Sequence, residues 1–307
     1  MQRMLIECGR QMGVDMTVDV LDARKLRIIA ESVAKCDKLD AKVINELSRS
    51  NLKLPTCYMP DDEEFALREH LRARSDLVRI RTMLKNRIHA VLHRRAILTP
   101  PRMDLFTMAG RAFLNQVELD ETGRTIVTRY LQQLDQFDAL IRASAGSLRE
   151  LARRPRWAKP AALLQTMPGI GLITALTILA ELGDLGRFRS RAAVANYAGL
   201  VPVVRDSDSK CYRGGITHRG SSHLRSMLTE AAWMAVKRVP AYQGLFDRIQ
   251  QRRGKAKAIV AVARRMLEDS WTMLRKDEAF RYVSPPRLTA RVETPHGDLS
   301  VASSVAG

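Results

Sequence analysis

The chain has 307 residues, and Lys plus Arg number 51 against 33 Asp plus Glu, which gives a formal net charge of +18. This length allows two globular units, and a hydrophobic fraction of 46% excludes wholesale disorder. A positive excess of this size on a folded chain favours a polyanionic partner, most often nucleic acid. The alternative is a basic protein without such a partner.

Several classes of protein are excluded early. No apolar run approaches the roughly 20 residues of a membrane-spanning helix, and the first residues lack the pattern of a signal peptide, so no membrane partner is expected. The four cysteines have no paired short spacing, which excludes a zinc finger and fits a cytoplasmic protein with reduced thiols: Cys8, Cys36, Cys57 and Cys211. No GxxxxGK[ST] phosphate loop is present, so ATP hydrolysis is not expected.

Residues 1–59 are predicted to be part of an α/β unit. The run Met16–Leu21 favours a β-strand, and a helical pattern follows from about Lys35. Asp37 and Asp40 lie three residues apart in this pattern, so their carboxylates share a helix face on which they could hold a divalent cation. A solvated helix face often carries such a pair without binding metal.

Residues 60–156 are predicted to form a helical spacer. Acidic residues at Asp61–Glu64 suit the first turn of a helix, and apolar residues then recur at threes, fours and sevens up to Pro100. A second such stretch runs from Ile126 to Leu148. Two long amphipathic helices around a proline break predict an antiparallel hairpin or a coiled coil, packed within the chain or onto a second subunit.

Residues 157–283 are predicted to form a second helical domain, which begins after a linker at Trp157–Pro160. The tail 284–307 is rich in Pro, Ser, Thr and Ala without periodicity, and we expect it to be disordered. The fold class is therefore mainly α, with the remnant of an α/β domain, a long helical (coiled-coil) hairpin and a helical C-terminal domain.

The segment Pro168-Gly169-Ile170-Gly171 lies between two apolar helical stretches. A glycine turn at the start of a helix presents unobstructed backbone N–H groups, which predicts a helix-hairpin-helix motif whose Gly169 and Gly171 contact a DNA phosphate. The alternative is an ordinary α-hairpin turn in which glycine only permits the bend.

The segment Val203–Arg225 is predicted to be a basic loop that carries serines. A serine that attacks a phosphodiester needs nearby positive charge, and guanidinium groups contact phosphate oxygens in a bidentate manner. The serines of the segment are Ser207, Ser209, Ser221 and Ser222, and the cations expected to contact DNA are Arg205, Lys210, Arg213, Arg219 and Arg225. The alternative is a loop that only holds DNA, with His218 and His223 as phosphate contacts.

The segment Gly254-Lys255-Ala256-Lys257 precedes an apolar helical stretch. It predicts a basic first turn on a core helix, where Lys255 and Lys257 contact the DNA backbone.

These features occur in an order that resembles one family. The motifs KxDxxDA, LLxxxPGIGxxTAxxxLAELGDxxRF, YAGLVP, RGGITHRGSSHLR and GKAK are similar to those of the insertion sequence one-ten group of bacterial transposases, the DEDD transposases, over about Val14 to Tyr282. The resemblance implies a RuvC-like domain of the ribonuclease-H type, in which an Asp-Glu-Asp-Asp set binds divalent metal, expected to be Mg²⁺. It also implies a C-terminal transposase domain with a nucleophilic serine.

The resemblance further implies a coiled coil that mediates assembly into a dimer or tetramer, a bridge RNA that guides the choice of DNA sites, and a location at the bacterial nucleoid. Asp37 and Asp40 match the last two acids of the metal set. Ser207 is the best match to the nucleophilic serine, which follows the GLVP motif by a few positions, and Ser209 is the fallback. The segment around Glu7 is expected to be a helix.

The family's first Asp and its Glu have no matching position in the chain, which is therefore expected to be truncated at its N-terminus. The function expected from the resemblance is that of a site-specific recombinase which cuts and rejoins DNA through a serine. The alternatives are a catalytically defective DNA-binding remnant and, less favoured by the motif order, a structure-specific nuclease or repair factor.

Overall fold

The computed structural model describes residues 2–14, 18–21, 44–46, 49, 54, 56–207, 210–217 and 220–281, with backbone alone at 204–207 and 210–214. These residues are mostly helical, which confirms the mainly α class. The chain divides into two compact units, Met1–His70 and Leu71–Gly307, each of which is described by itself.

In the first unit, helix α1 spans Gln2–Gln11, as expected for the segment around Glu7. The prediction of a strand at Met16–Leu21 is wrong for its described part, because Val18–Val20 has no regular structure and Leu21 forms only an isolated antiparallel bridge with Thr56. An isolated bridge of this kind is not a strand, and the described residues of this unit contain no strand that pairs beside it. Asp37 and Asp40 lie outside the described residues, as does the tail 284–307.

The spacer contains the two predicted long helices, α2 (Asp62–His93) and α4 (Glu121–Ala152). Acidic residues occupy the first turn of α2, as predicted, and oppose the positive end of its dipole. Helix α4 buries one apolar side chain every seven residues: Val127, Leu134, Ile141 and Leu148. A shorter helix that the periodicity did not predict, α3 (Met108–Gln116), lies between them in the chain.

The contacts show that α2 and α4 form an antiparallel hairpin. Arg95, which follows the end of α2, pairs with Asp120, which precedes the start of α4. Arg81, which lies earlier in α2, contacts Asp138, which lies later in α4, with 3.3 Å between Nη1 and Oδ1. Helix α3 closes the end of the hairpin over a shared apolar cluster: Ile88, Val91, Leu92, Leu105, Leu114 and Val127. The hairpin therefore packs within the chain; packing onto a second subunit stays a prediction.

The rest of the second unit is a helical assembly with one small β-hairpin. Its elements are α5 (Pro155–Gln165), α6 (Leu172–Leu182), a 3₁₀ turn (Leu185–Arg187), α7 (Arg191–Tyr197), β1 (Pro202–Ser207), β2 (Lys210–Ile216), α8 (Ser222–Val236), α9 (Pro240–Arg253) and α10 (Lys255–Lys276). Helix α6 is buried on every side from Thr174 to Leu182, as its almost wholly apolar sequence requires. Helix α10 packs against α5, α7, α8 and α9.

The prediction of a linker at Trp157–Pro160 is wrong. These residues belong to α5, which begins at Pro155, and the Trp157 side chain is buried. Proline fits the first turn of a helix because the N–H that it lacks has no partner there, so prolines in this segment start a helix instead of interrupting one. The buried indole then ties the helix to the core.

The prediction of a loop throughout Val203–Arg225 is also wrong. Strands β1 and β2 pair in antiparallel register, with an irregularity between Pro202 and Val204, and α8 begins at Ser222. The β-branched and aromatic residues of the two strands favour this pairing, and a separation of two residues suits a tight hairpin.

Candidate nucleic-acid interface

The β-hairpin brings several of the predicted site residues together along the backbone. Ser207 is the last residue of β1 and pairs with Lys210, the first residue of β2. Arg205 lies two residues earlier and pairs with Tyr212, while Arg213 pairs with Val204. The candidate nucleophile thus lies at the end of β1, opposite a basic residue of β2. Ser209, His218 and Arg219 lie outside the described residues.

The base of this hairpin is fixed to the end of α7. The Thr217 N–H donates to the Val201 carbonyl over 2.9 Å, and Gly220 has a φ of +75°. A side chain at Gly220 would overlap the Tyr197 carbonyl oxygen, so this close approach requires glycine. Gly220, which leads into α8, therefore lies against the end of α7.

Arg225, one of the predicted DNA contacts, takes part in this junction. Its Nη1 group donates to the Ala198 carbonyl over 3.1 Å and to the Gly220 carbonyl over 3.3 Å. A guanidinium that holds two backbone carbonyls fixes the junction between α7 and α8. This observation favours a structural role for Arg225.

The first turn of α8 is linked to the buried carboxylate of Glu181 on α6. Ser221 is the N-cap of α8: its Oγ accepts from the Leu224 N–H over 3.2 Å and donates to Glu181 Oε1 over 2.9 Å. Glu181 is only 5% exposed, and Arg72 Nη2 lies 3.6 Å from the same carboxylate oxygen. The serine hydroxyl and the guanidinium together compensate a buried negative charge.

An open cavity of about 890 Å³ lies between α2 and the start of α8. Four arginines of α2 line it: Arg72, Arg74, Arg79 and Arg81. The facing wall contains Ser221, which is the N-cap of α8, the first two residues of α8, Ser222 and His223, and Ile173 of α6. The acidic residues of the lining are Asp76 and Glu230, so arginines outnumber carboxylates by two in its walls.

Part of this positive charge is not neutralised. The Arg74 side chain makes no hydrogen bond or ion pair with any residue that the structure describes, and its Nε is buried without a partner. Burial lowers the pKa of Arg74 from its ordinary value, and the neighbouring charge of Arg81 lowers it further. Arg81 contacts Asp138 through Nη1, but its buried Nε has no partner either. The cavity therefore holds guanidinium N–H groups that lack acceptors.

His223 adds an unsatisfied ring nitrogen to the same cavity. Its Nε2 is buried without a hydrogen-bond partner. Burial lowers the pKa of His223; the Glu181 carboxylate opposes this shift, whereas the charges of Arg72 and Arg74 reinforce it. An anion in the cavity would stabilise the imidazolium and supply the missing acceptor.

The glycine turn between α5 and α6 has two different glycines. Gly169 has a φ of +94°, and a Cβ there would collide with the Ala231 carbonyl oxygen of α8. Gly171 is exposed, has open space around it, and caps α6 without a side-chain hydrogen bond. Gly169 thus serves the packing of the turn on α8, while only Gly171 leaves the start of α6 accessible to a phosphate.

Lys255 and Lys257 lie where the sequence predicts them, exposed in the first turn of α10. That turn has no acidic residue, while the following residues of α10, such as Ile259 and Val262, are buried. The prediction of a basic first turn on a core helix is confirmed.

The metal site predicted from Asp37 and Asp40 lies outside the described residues. Within the part of the chain that the structure describes, no group of three or more His, Cys, Asp or Glu side chains could hold a metal ion. No helix in that part is both long and apolar enough to cross a membrane.

The arginines of α2 were missed by the sequence analysis. Their signal is an Arg-x-Arg pair, Arg72 and Arg74, that is repeated seven residues later at Arg79 and Arg81. Residues seven apart share a helix face, so the repeat marks a basic stripe within an otherwise amphipathic helix. The spacing indicates the stripe but not the partner wall from α8.

Comparison with known protein families matches two segments of the chain. A family model described as "Transposase IS116/IS110/IS902 family" matches residues 161–246, which contain α6, the β-hairpin and α8. A second model, a transposase model of the DEDD type of IS110, matches residues 2–96.

Individual relatives agree with these matches. A putative transposase of Sinorhizobium fredii is 28% identical over 65% of this chain and 47% of its own length. The transposase for insertion sequence element IS1111A of Coxiella burnetii is 24% identical over 88% of this chain and 74% of its own length. A pilin gene-inverting protein of Moraxella bovis is 34% identical over 39% of this chain and 38% of its own length.

The chain spans about half the length of the first of these relatives. The order of the motifs, the two family matches and the relatives all lead to one assignment. The chain belongs to the IS116/IS110/IS902 family of transposases.

Proposed function

We propose that the chain acts in DNA transposition as a recombinase that cuts and rejoins DNA through the hydroxyl of Ser207. The observation that carries the proposal is the place of Ser207 at the end of β1, paired with Lys210 and two residues from Arg205, inside the segment that the IS116/IS110/IS902 model matches. A serine in a basic hairpin is suited to attack a phosphodiester, because nearby cations favour the alkoxide and stabilise the negative transition state.

The proposed reaction is a pair of ester exchanges. Ser207 Oγ attacks the scissile phosphorus, its proton leaves, and the bond from phosphorus to a sugar oxygen breaks; the freed sugar hydroxyl takes up a proton. A hydroxyl of the partner strand then attacks the phosphoserine and releases Ser207. Each step exchanges one phosphate ester for another, so no nucleotide hydrolysis is needed, in agreement with the lack of a GxxxxGK[ST] motif in the sequence.

The family assignment supports further parts of the proposal. Asp37 and Asp40 would contribute carboxylates to a divalent metal, Mg²⁺, whose chemistry when bound is Lewis-acid activation of a phosphate oxygen. The division into a RuvC-like part (1–59), a coiled-coil spacer (60–156), a helix-hairpin-helix transposase domain (157–283) and a disordered tail (284–307) belongs to the same proposal. The proposal also includes a bridge RNA that guides the choice of DNA sites, assembly into a dimer or tetramer, and action at the nucleoid in the bacterial cytoplasm.

The proposal is tested by trapping a covalent adduct between the chain and DNA. The chain is incubated with labelled DNA that carries the ends of its own insertion element, together with Mg²⁺ and RNA transcribed from that element, and adducts are resolved under denaturing conditions. Ser207→Ala should abolish the adduct, and mass spectrometry of the unmodified chain should find the phosphate on Ser207.

Two variants serve as controls. Ser147→Ala removes an exposed hydroxyl of α4, 60 residues before Ser207 in the sequence, and should leave the adduct unchanged. Ser209→Ala tests the neighbouring hydroxyl: if this variant alone loses the adduct, Ser207 is not the nucleophile. If the unmodified chain forms no adduct, the recombinase proposal fails and a nucleic-acid-binding protein remains.

A further inference from the structure

We propose that the cavity between α2 and the start of α8 binds the phosphodiester groups of a nucleic-acid strand through Arg72, Arg74 and the first turn of α8. This deepens the proposed function and rests on it, since it assigns a place where the nucleic acid is held and not the place where it is cut. Nothing in the sequence analysis assigned the arginines of α2 to this role.

The charge of the cavity favours an anion. Of its four arginines, Arg72 contacts Glu181, Arg79 lies 3.1 Å from Asp76, and Arg81 lies 3.3 Å from Asp138. Arg74 has no such contact among the described residues. Guanidinium groups held side by side without full compensation repel one another, so an anion that enters between them is stabilised.

The spacing of the arginines favours a strand over a single phosphate. Arg72 and Arg79, like Arg74 and Arg81, are seven residues apart on one continuous helix, which corresponds to about 10.5 Å along its axis. One strand of a DNA duplex advances about 3.4 Å per phosphate, so the two arginine pairs extend over roughly three phosphates. A single free phosphate would leave one pair unused, whereas a strand would engage both.

The opposite wall of the cavity is suited to an anion as well. Helix α8 starts there with Ser222 and His223, and its first turn has no acidic residue. The first backbone N–H groups of a helix lack partners inside it, and the helix dipole favours an anion at that end. The buried Nε2 of His223 is a second and independent unsatisfied group in the same wall. Donors therefore face the cavity from both sides.

The composition of the lining fits this ligand better than others. The two acidic lining residues lie on different helices, Asp76 on α2 and Glu230 on α8, and the arginines outnumber them, so a cation is disfavoured. Val78, Ile173 and Met227 are the apolar side chains of the lining, whereas its other side chains are arginines, serines, His223 and the two acidic residues. A chain of phosphates matches the charge, the length and the donors.

The test measures binding without cutting, so it is carried out on the full chain in the Ser207→Ala background. Labelled duplex DNA, single-stranded DNA and RNA of arbitrary sequence are titrated at several salt concentrations, and the affinity is read by fluorescence anisotropy. Arg74→Gln should weaken binding several-fold and reduce the salt slope on duplex DNA by about 0.9, the value for one lost phosphate contact. The probe that shows the larger loss identifies DNA or RNA as the strand in the cavity.

Two further variants make the test specific. Arg129→Gln removes the same charge from an exposed position on α4 and should leave both affinity and slope unchanged. Ser222→Asp places a carboxylate in the first turn of α8, where it favours the helix, so thermal stability should be kept while binding weakens.

Equal affinities and slopes for Arg74→Gln and Arg129→Gln on every probe would overturn the inference. The serine adduct is measured separately in the Ser207-containing chain. Loss of the cavity proposal therefore leaves the recombinase proposal standing, and the reverse also holds.

Discussion

Replacing Gly169 by alanine tests how the glycine turn is tied to the rest of the second unit. Gly169 has a φ of +94°, and an added Cβ would overlap the Ala231 carbonyl oxygen and lie 3.2 Å from the Ala235 nitrogen. Both neighbours are backbone atoms of α8, so neither can move as the end of a flexible side chain can. Gly169→Ala must shift either the turn or the helix.

The expected loss of stability has two parts. A non-glycine residue in a sparsely populated backbone region costs about 1–3 kcal/mol. Forcing extra atoms into a packed contact costs about 1–3 kcal/mol more. The free energy of unfolding should therefore fall by roughly 2–6 kcal/mol, which is a large part of the stability of a typical domain.

The measurement is chemical denaturation of the full chain, followed by circular dichroism. Gly171→Ala is the matched control, because Gly171 has a negative φ and no neighbouring atom within 4 Å of the place that a methyl group would take. Its free energy of unfolding should change by less than about 1 kcal/mol. If the two variants unfold at the same denaturant concentration, the packing of Gly169 on α8 does not constrain the turn, and its role must be sought elsewhere.

The remaining predictions concern the hairpin, the cap of α8 and the cavity. Leu134→Ala, at a fully buried site, should lower the free energy of unfolding by about 2–5 kcal/mol in denaturation, whereas Leu140→Ala, at an exposed site, should change it little. Ser221→Ala removes the N-cap of α8 and should cost about 0.5–2 kcal/mol in the same assay, whereas Ser222→Ala, at an exposed site, should not; equal losses would contradict the cap assignment. Burial lowers the pKa of His223, so the unfolded chain takes up a proton below about pH 6.5 more readily than the folded chain does. The urea midpoint of unfolding should therefore fall as the pH drops through this range, and His223→Gln should make that fall smaller.

Local structure was predictable where one helix carries its own signal. Acidic residues at Asp62–Glu64 and the seven-residue spacing of Val127 and Leu134 act within single helices, so α2 and α4 follow from the sequence. The lysines of the first turn of α10 follow in the same way. The segment Trp157–Pro160 was wrongly predicted as a linker because its prolines and charges are typical of one. The burial of Trp157, which makes it part of a packed helix, depends on residues distant in the sequence.

The β-hairpin shows the same limit. Its serines and arginines predict a loop by composition, but pairing of Val204 with Arg213 and of Arg205 with Tyr212 decides the structure. Strand pairing depends on which residues lie opposite one another, and a count of polar residues does not report this. The position of Ser207 next to Lys210 is therefore a result of the fold and not of the motif.

By itself, the sequence determined the helical class, the order of motifs that leads to the family, and the basic charge that calls for a polyanion. Only the tertiary structure decided which charges share one space: Arg74 and His223 are about half the chain apart in sequence, yet both line one cavity. The physical reason is that periodicity reports which face of an element is apolar, whereas the partner of that face is chosen by packing among all the elements.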